Sequence, residues 1–206
     1  MRTCLLASLL LLGSAAAHAG PWYAVGAVSQ STVNLDKSAL DTTLTANGAT
    51  ALSSHQTGTH DQWRLQLGYQ LTPYLAFEAG YIDLGKATYS ASFSGGSATV
   101  DWKSGGIDLA AVGTLPIDGQ LSLLGKVGVI DAKTTGSWRS SGIGGLPTGS
   151  VNKTALHPFI GLGATYALTQ RTSLRGEYEN FSGIGESHST GSADVHVFSL
   201  GVSYLF

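Results

Sequence analysis

Along most of this chain, large apolar residues recur at every second position. In the stretch from 63 to 71, Trp63, Leu65, Leu67, Tyr69 and Leu71 alternate with Arg64, Gln66, Gly68 and Gln70. Leu75, Phe77, Ala79 and Tyr81 alternate with Ala76, Glu78 and Gly80. Leu121, Leu123, Val127 and Val129 alternate with Ser122, Lys126 and Gly128, and Leu174 and Tyr178 lie opposite Arg175, Glu177 and Glu179. Successive side chains of an extended strand point to opposite faces, so each stretch reads as a strand with one apolar face. The pattern predicts eight strands, at about 22–31, 62–71, 74–84, 105–115, 120–131, 156–168, 172–182 and 194–206.

Strands of roughly ten residues suit a tilted crossing of a hydrocarbon core, which takes about 9 to 11; strands of globular proteins run nearer five or six. The connections are asymmetric. Those at 72–74, 116–119 and 169–171 are tight, whereas 32–61, 85–104, 132–155 and 183–193 are long and rich in Ser, Thr, Gly and Asn. Within 85–104 the sequence alternates on both sides of Gly95-Gly96, which predicts a two-residue hairpin turn and a ribbon extending beyond the membrane. Trp22, Tyr69, Tyr74, Tyr166 and Tyr204 fall near strand ends, as interfacial aromatics do. A soluble β-sandwich would bury the apolar faces against a second sheet instead.

Composition narrows the choice. Only 12% of residues are charged, against about 25% in ordinary soluble domains, and the chain holds 28 glycines. A net charge of −2 leaves no basic footprint for nucleic acid. The N-terminus, with Arg2, an apolar run from Cys4 to Leu12 and Ala17-His18-Ala19 before Gly20, reads as a secretory signal peptide. The expected division is a leader over 1–19 and a barrel domain over 20–206. Cys4, the sole cysteine, lies in the leader, so no disulfide or thiolate metal site is expected. On the inward faces the pattern collects Arg64, Glu78, Asp108, Lys126, Arg175, Glu177 and Glu179, three bases against four acids, which implies mutual pairing.

Five segments resemble the OmpA-like transmembrane barrels: "GPWYAVGAVSQS", "LGYQLTPYLAFEAGYIDLG", "GKVGVIDAK", "FIGLGATYALTQRTSLRGEYENF" and "FSLGVSYLF". The resemblance implies an all-β fold, a closed eight-stranded antiparallel up-and-down transmembrane β-barrel in the outer membrane of a Gram-negative bacterium, both termini periplasmic. The family's usual Pro-rich linker and peptidoglycan-binding domain do not follow Phe206, so a barrel alone is expected. Phe198, Leu200, Val202, Tyr204 and Phe206 match the closing-strand signal read by the barrel-assembly machinery. Glu78, Lys126, Arg175 and Glu177 match positions that form a salt-bridge plug or gate in the lumen.

No catalytic, cofactor or metal site is expected. Some eight-stranded barrels are lipid A deacylases with a His–Ser pair, and this sequence offers two such pairs. Adjacent His188 and Ser189 point apart, and His196 and Ser199, three apart on a strand, fall on opposite faces. His55, His60 and His157 lack metal-like spacing. The expected function is a structural, envelope-stabilising barrel with a minor gated channel state. A surface adhesin or receptor acting through its extracellular loops is the alternative, and a lipid A-modifying enzyme ranks behind both. Expected partners are outer-membrane lipid and lipopolysaccharide, the assembly machinery during insertion, and host or phage ligands at the loops. No nucleic-acid partner is expected, and the barrel is expected to be a monomer.

Overall fold

Each apolar stripe does become one face of a strand, and the strands close on themselves. The computed structural model describes residues 21–34, 37–142, 148–186 and 191–206. In chain order the elements are β1 (Trp22–Asn34), α1 (Lys37–Ala46), β2 (Ser53–Thr57), β3 (Thr59–Thr72), β4 (Leu75–Phe93), β5 (Gly96–Pro116), β6 (Leu121–Ser141), β7 (Gly149–Ala167), β8 (Thr172–Glu186) and β9 (Gly191–Leu205). Antiparallel pairing runs β1-β3-β4-β5-β6-β7-β8-β9 and returns from β9 to β1, a ring of eight strands. The seam pairs Tyr23 with Leu205 through to Asn34 with Asp194. Phe206 extends it, its backbone N–H donating to the Trp22 carbonyl at 3.0 Å.

The outer surface of the ring is apolar. Val28, Ile107, Leu156, Ile160 and Leu162 are each 63–73% exposed, as are most of their neighbours on the same face to a lesser degree. So much exposed hydrocarbon is tolerable only against lipid. The apolar face of β5 spans Ile107 to Leu115. Nine residues at about 3.3 Å each, tilted by roughly 40°, rise ~23 Å, the height of an outer-membrane hydrocarbon band. Aromatic rings border it. At the end with the tight turns, Trp22 packs edge-on against Tyr69 at 4.9 Å and Tyr204 against Phe206 at 5.5 Å. At the other end Trp63 lies 5.5 Å from Tyr81, and Tyr178 stacks on His196.

The tight connections match the sequence reading; the long ones hold more structure than expected. β4 and β5 run on as the anticipated ribbon, but Phe93 pairs with Gly96, so the turn residues are Ser94 and Gly95 rather than Gly95 and Gly96. Gly95 takes the left-handed φ of +81° that the turn needs. The 132–155 connection is mostly strand, since β6 reaches Ser141 and β7 begins at Gly149, and β8 and β9 likewise extend to Glu186 and from Gly191. Beyond the membrane, ladder pairing with the neighbouring strand continues to satisfy the backbone, so apolar alternation is no longer needed to sustain a strand.

The 32–61 connection, expected from its composition to be a loop, contains α1 and β2. Leu40 and Leu44, one helical turn apart, pack on an apolar face of the ribbon formed by Tyr89, Ala91, Phe93 and Ala98. β2 pairs with β4, Ser53 opposite Ser92 through Thr57 opposite Thr88. The Tyr89 hydroxyl fastens the helix by donating to Asp41 Oδ1 at 2.5 Å, and Lys37 Nζ lies 2.9 Å from Asp41 Oδ2.

Inside the ring, side chains fill the lumen in layers. Tyr23, Val25, Ala76, Val112 and Leu124 form a small cluster toward the tight turns. A belt of charges comes next. Above it, toward the ribbon, Ile82, Leu84, Trp102, Ile130, Phe159, Phe181, Ile184, Val195 and Val197 form an apolar stack, every one of them 1% exposed or less. Phe159 and Phe181 stack at 4.7 Å between centroids.

The helix dock generates a pH prediction. The hydrogen bond from Tyr89, helped by Lys37, lowers the Asp41 carboxyl from 3.8 to about 2, while burial and the bond to Asp41 push the Tyr89 phenol from 10.0 to about 12. A lowered carboxyl stabilises the docked helix above pH 3.8 and loses that contribution as pH falls through about 2; the raised phenol contributes below pH 10 and fails as pH rises through about 12. In Tyr89→Phe, the Asp41 carboxyl titration followed by NMR should move upward toward 3.8, and an unmoved midpoint would show that the phenol does not hold Asp41.

Candidate functional site

The charge belt is assembled by strand alternation. β8 sends Arg175, Glu177 and Glu179 inward at successive alternate positions, and β3, β4, β5 and β6 contribute Arg64, Glu78, Asp108 and Lys126. All seven residues that the inward pattern collected are buried, none more than 5% exposed. Beside them β7 presents glycine. A Cβ on Gly161 would stand 2.7 Å from Glu179 Cγ, so that position is left empty for its neighbour's side chain.

Three bases divide the acids among them. Arg175 grips Glu78 with both terminal nitrogens, Nη1 to Oε1 at 2.5 Å and Nη2 to Oε2 at 3.1 Å, and Nη2 also donates to Glu177 Oε1 at 2.8 Å. Such a fork-to-carboxylate contact fixes geometry as well as charge. Lys126 Nζ lies 3.0 Å from Glu78 Oε2, 2.8 Å from Glu177 Oε1 and 3.2 Å from Glu179 Oε1. Arg64 donates to Glu179 and lies 3.7 Å from Glu177 Oε2 and 3.8 Å from Asp108 Oδ2. Lys126 therefore joins the Arg175 group to the Arg64 group, and the belt is one connected network.

Two neutral residues complete it. Gln66 Nε2 donates to Asp108 Oδ2 at 2.8 Å, holding the acid that lies farthest from its base. Tyr23 donates its hydroxyl to Glu78 Oε1 at 2.7 Å. Tyr23 was not among the residues collected from the sequence, although its place next to lipid-facing Trp22 marks it as inward. Toward the tight turns the belt borders a cavity of about 210 Å³ whose mixed lining includes Arg175, Tyr23, Thr165 and Ser203 as well as Val112 and Leu124.

The remaining sequence candidates are separated. His196 faces outward, its Nδ1 3.1 Å from the Tyr178 hydroxyl, whereas Ser199 is buried in the lumen, so the pair cannot meet. His188 and Ser189 lie outside the described residues. His55 sits by Thr57 on β2, and His157 Nε2 accepts the Gly185 N–H at 3.4 Å; neither shares a site with two other metal-ligating residues among those described. The closing-strand residues Phe198, Leu200, Val202, Tyr204 and Phe206 all lie on the lipid face.

Removing one member of a buried ion pair leaves a charge unmatched, typically at about 3 to 5 kcal/mol, where an exposed pair is worth roughly 0 to 1. Glu78→Ala should destabilise the barrel toward that upper range in urea unfolding. Adding Arg175→Ala should cost less than the sum of the two singles, with a coupling of about 0.5 to 3 kcal/mol. A coupling near zero would remove this contact from the account of stability.

A ring of eight antiparallel strands with an apolar outer face has counterparts among known proteins. The family model for the OmpA-like transmembrane domain matches residues 19–206. Outer membrane protein A of Yersinia pseudotuberculosis is 35% identical over 142 residues, 68% of this chain and 38% of that protein. Its counterpart in Klebsiella aerogenes is 29% identical over 202 residues, 98% of this chain and 53% of the relative. The chain thus spans about two-fifths to half of these relatives' length. Among solved structures, Neisserial surface protein A superposes with a TM-score of 0.59 at 14% identity, covering 91% of this chain and 98% of that one. Ail, the attachment invasion locus protein of Yersinia pestis, superposes at 0.51 and 15% identity, covering 91% and 99%. At those identities the likeness is one of fold. By its sequence over nearly its whole length, and by a fold that agrees with it, the chain belongs to the family of OmpA-like transmembrane domains of the outer membrane.

Proposed function

We propose that this protein is a non-enzymatic structural barrel of the outer membrane, closed to ions at rest, that carries an ordered platform on the cell surface. The observation that supports closure is the double seal of the lumen. The charge belt is followed by a stack of buried apolar side chains that includes Trp102, Phe159 and Phe181. A channel gated by salt bridges alone would open when the belt is disrupted. Here the apolar stack remains, and an apolar constriction of this kind excludes water and ions.

In this reading both termini and the tight turns face the periplasm, and α1, β2 and the β4–β5 ribbon stand outside, following the loop asymmetry of outer-membrane barrels. A cysteine at Ser141, near the ribbon tip, should react with an impermeant thiol reagent on intact cells, and one at Gly119 in the 117–120 turn should not. The reverse pattern would invert the topology. Phe206, Tyr204, Val202, Leu200 and Phe198 serve as the signal for the assembly machinery. Deleting Phe206 should reduce the heat-modifiable folded band at high expression, and unchanged insertion would reduce this residue to ordinary packing.

A second reading is favoured by one feature, the surface platform. About 40 Å of strand extends from Ile82 to Phe93, and a docked helix braces it. An anchor alone has no need of that. Ail, described as an attachment invasion locus protein in complex with a heparin analogue, has the same fold. Contact with host or phage molecules through the platform is the corresponding role here.

The closed-barrel reading is tested in planar bilayers. Wild type and Glu78→Ala should both show no steady conductance, and Glu78→Ala combined with Trp102→Ala should admit ions. A stable conducting state in Glu78→Ala alone would make the belt the gate and overturn the double seal.

A further inference from the structure

The exposed charges just beyond the lipid-facing band are distributed unevenly around the barrel. On the wall made by β4, β5 and β6, outward-facing Lys86, Lys103 and Lys133 are all exposed. The ladder places Lys86 directly opposite Lys103, and Lys133 opposite Gly105, two residues along β5 from Lys103. The last lipid-facing residues below them are Tyr81 and Ile107, which pair with each other. On the opposite wall, β1, β3, β8 and β9 carry no outward lysine or arginine among the described residues, and Asp61 and Asp194 stand exposed there.

The lysines are also poorly matched to one another. Like charges directly across a ladder are destabilising, and no ion pair to Lys86, Lys103 or Lys133 is present among the described residues. The nearest acids have other roles or positions. Asp101 pairs with Arg139 at 2.7 Å and accepts a hydrogen bond from Thr88, and Asp83 Oδ1 accepts the Gly85 N–H. Asp131 faces outward beside Ile107 in the row below. Between the lysines Gly105 has no side chain, and the Tyr81 hydroxyl fills that space, 3.1 Å from where a Cβ would stand. The ladder thus sets the Tyr81 hydroxyl and three lysines on one outward patch that continues directly from the apolar band, with Asp83 opposite Gly105 as the acid within it.

We infer that Lys86, Lys103 and Lys133, with the Tyr81 hydroxyl, form a binding site for the phosphate of an outer-leaflet glycolipid, its acyl chains lying on the apolar face below. The inference rests on the outward placement of the β4–β5 ribbon proposed above. Charge complementarity favours a phosphate, and continuity with the lipid-facing surface favours one carried on a lipid over one free in solution. Each lysine near an anionic membrane surface contributes about a fivefold gain in binding. A bound phosphate would also relieve the Lys86–Lys103 repulsion.

The test uses the full folded chain in detergent, with native mass spectrometry to read bound lipid. The probes are bisphosphorylated lipid A, the same lipid stripped of phosphate, and inorganic phosphate as competitor. Wild type should retain lipid A. Lys103→Gln with Lys133→Gln should weaken binding roughly 25-fold, about fivefold per lysine, and Lys37→Gln on α1, which docks on the other face of the ribbon, should leave it unchanged. The heat-modifiable band checks that each variant is folded; if the double variant fails to fold, Lys86→Gln alone, with an expected loss of about fivefold, replaces it. Equal binding of stripped lipid, equal retention by the lysine variants, or displacement of lipid A by millimolar phosphate would each overturn the site. A reversed labelling pattern with lysine-dependent binding intact would refute the proposed orientation alone.

Discussion

Everything in this molecule depends on closing the ladder between β1 and β9. Within hydrocarbon there is no water to satisfy a backbone N–H or C=O, so an open strand edge costs several kcal/mol per unpaired group. The seam from Tyr23–Leu205 to Asn34–Asp194, extended by Phe206, leaves no such edge at membrane depth. Closure also sets the interior. Eight strands enclose a space that side chains can just fill, so every inward residue must find partners among the others.

Those partners are sorted by depth. Around the middle the inward residues are charged, and Lys126 links two arginine-centred groups into one network. Toward the ribbon they are apolar and close-packed. A belt of ions alone could let water through when a pair opens, and an apolar layer alone would supply no directional contact to fix strand register across the lumen. The two layers therefore constrain different things: the belt fixes which residues face each other, and the stack is the layer to which the proposed closure to water and ions is assigned.

Where lipid ends, the rules relax and the sheet opens. β7 and β8 pair only from Phe159–Phe181 downward to Ala167–Ser173, and beyond that point β8 bends through a register shift to follow β9. Water can satisfy the edge so released. Pro158, which has no N–H to leave unpaired, sits at the point of separation. β4, β5, β6 and β7 continue upward as a sheet, and α1 covers the apolar face of its β4–β5 part.

The period-two pattern was enough to determine the eight crossings, their inward and outward faces and the tight turns, and the seven charged residues that it places on inward faces are buried. It did so because a strand between lipid and a filled lumen must alternate at every step. Outside the membrane that requirement lapses, and the sequence reading stopped short there. β6 and β7 run well past the lipid on ladder pairing alone, and α1 is signalled only by Leu40 and Leu44 ahead of Asn47-Gly48. Only the tertiary structure decided which acid meets which base, because partners such as Glu78 and Arg175 are far apart in the chain and brought together by barrel curvature. It alone brought Tyr23 to Glu78, Tyr89 to Asp41, and three lysines from separate strands to one patch of wall. Strand periodicity tells which way a side chain points; what it meets there is set by the register and shear of a closed ring.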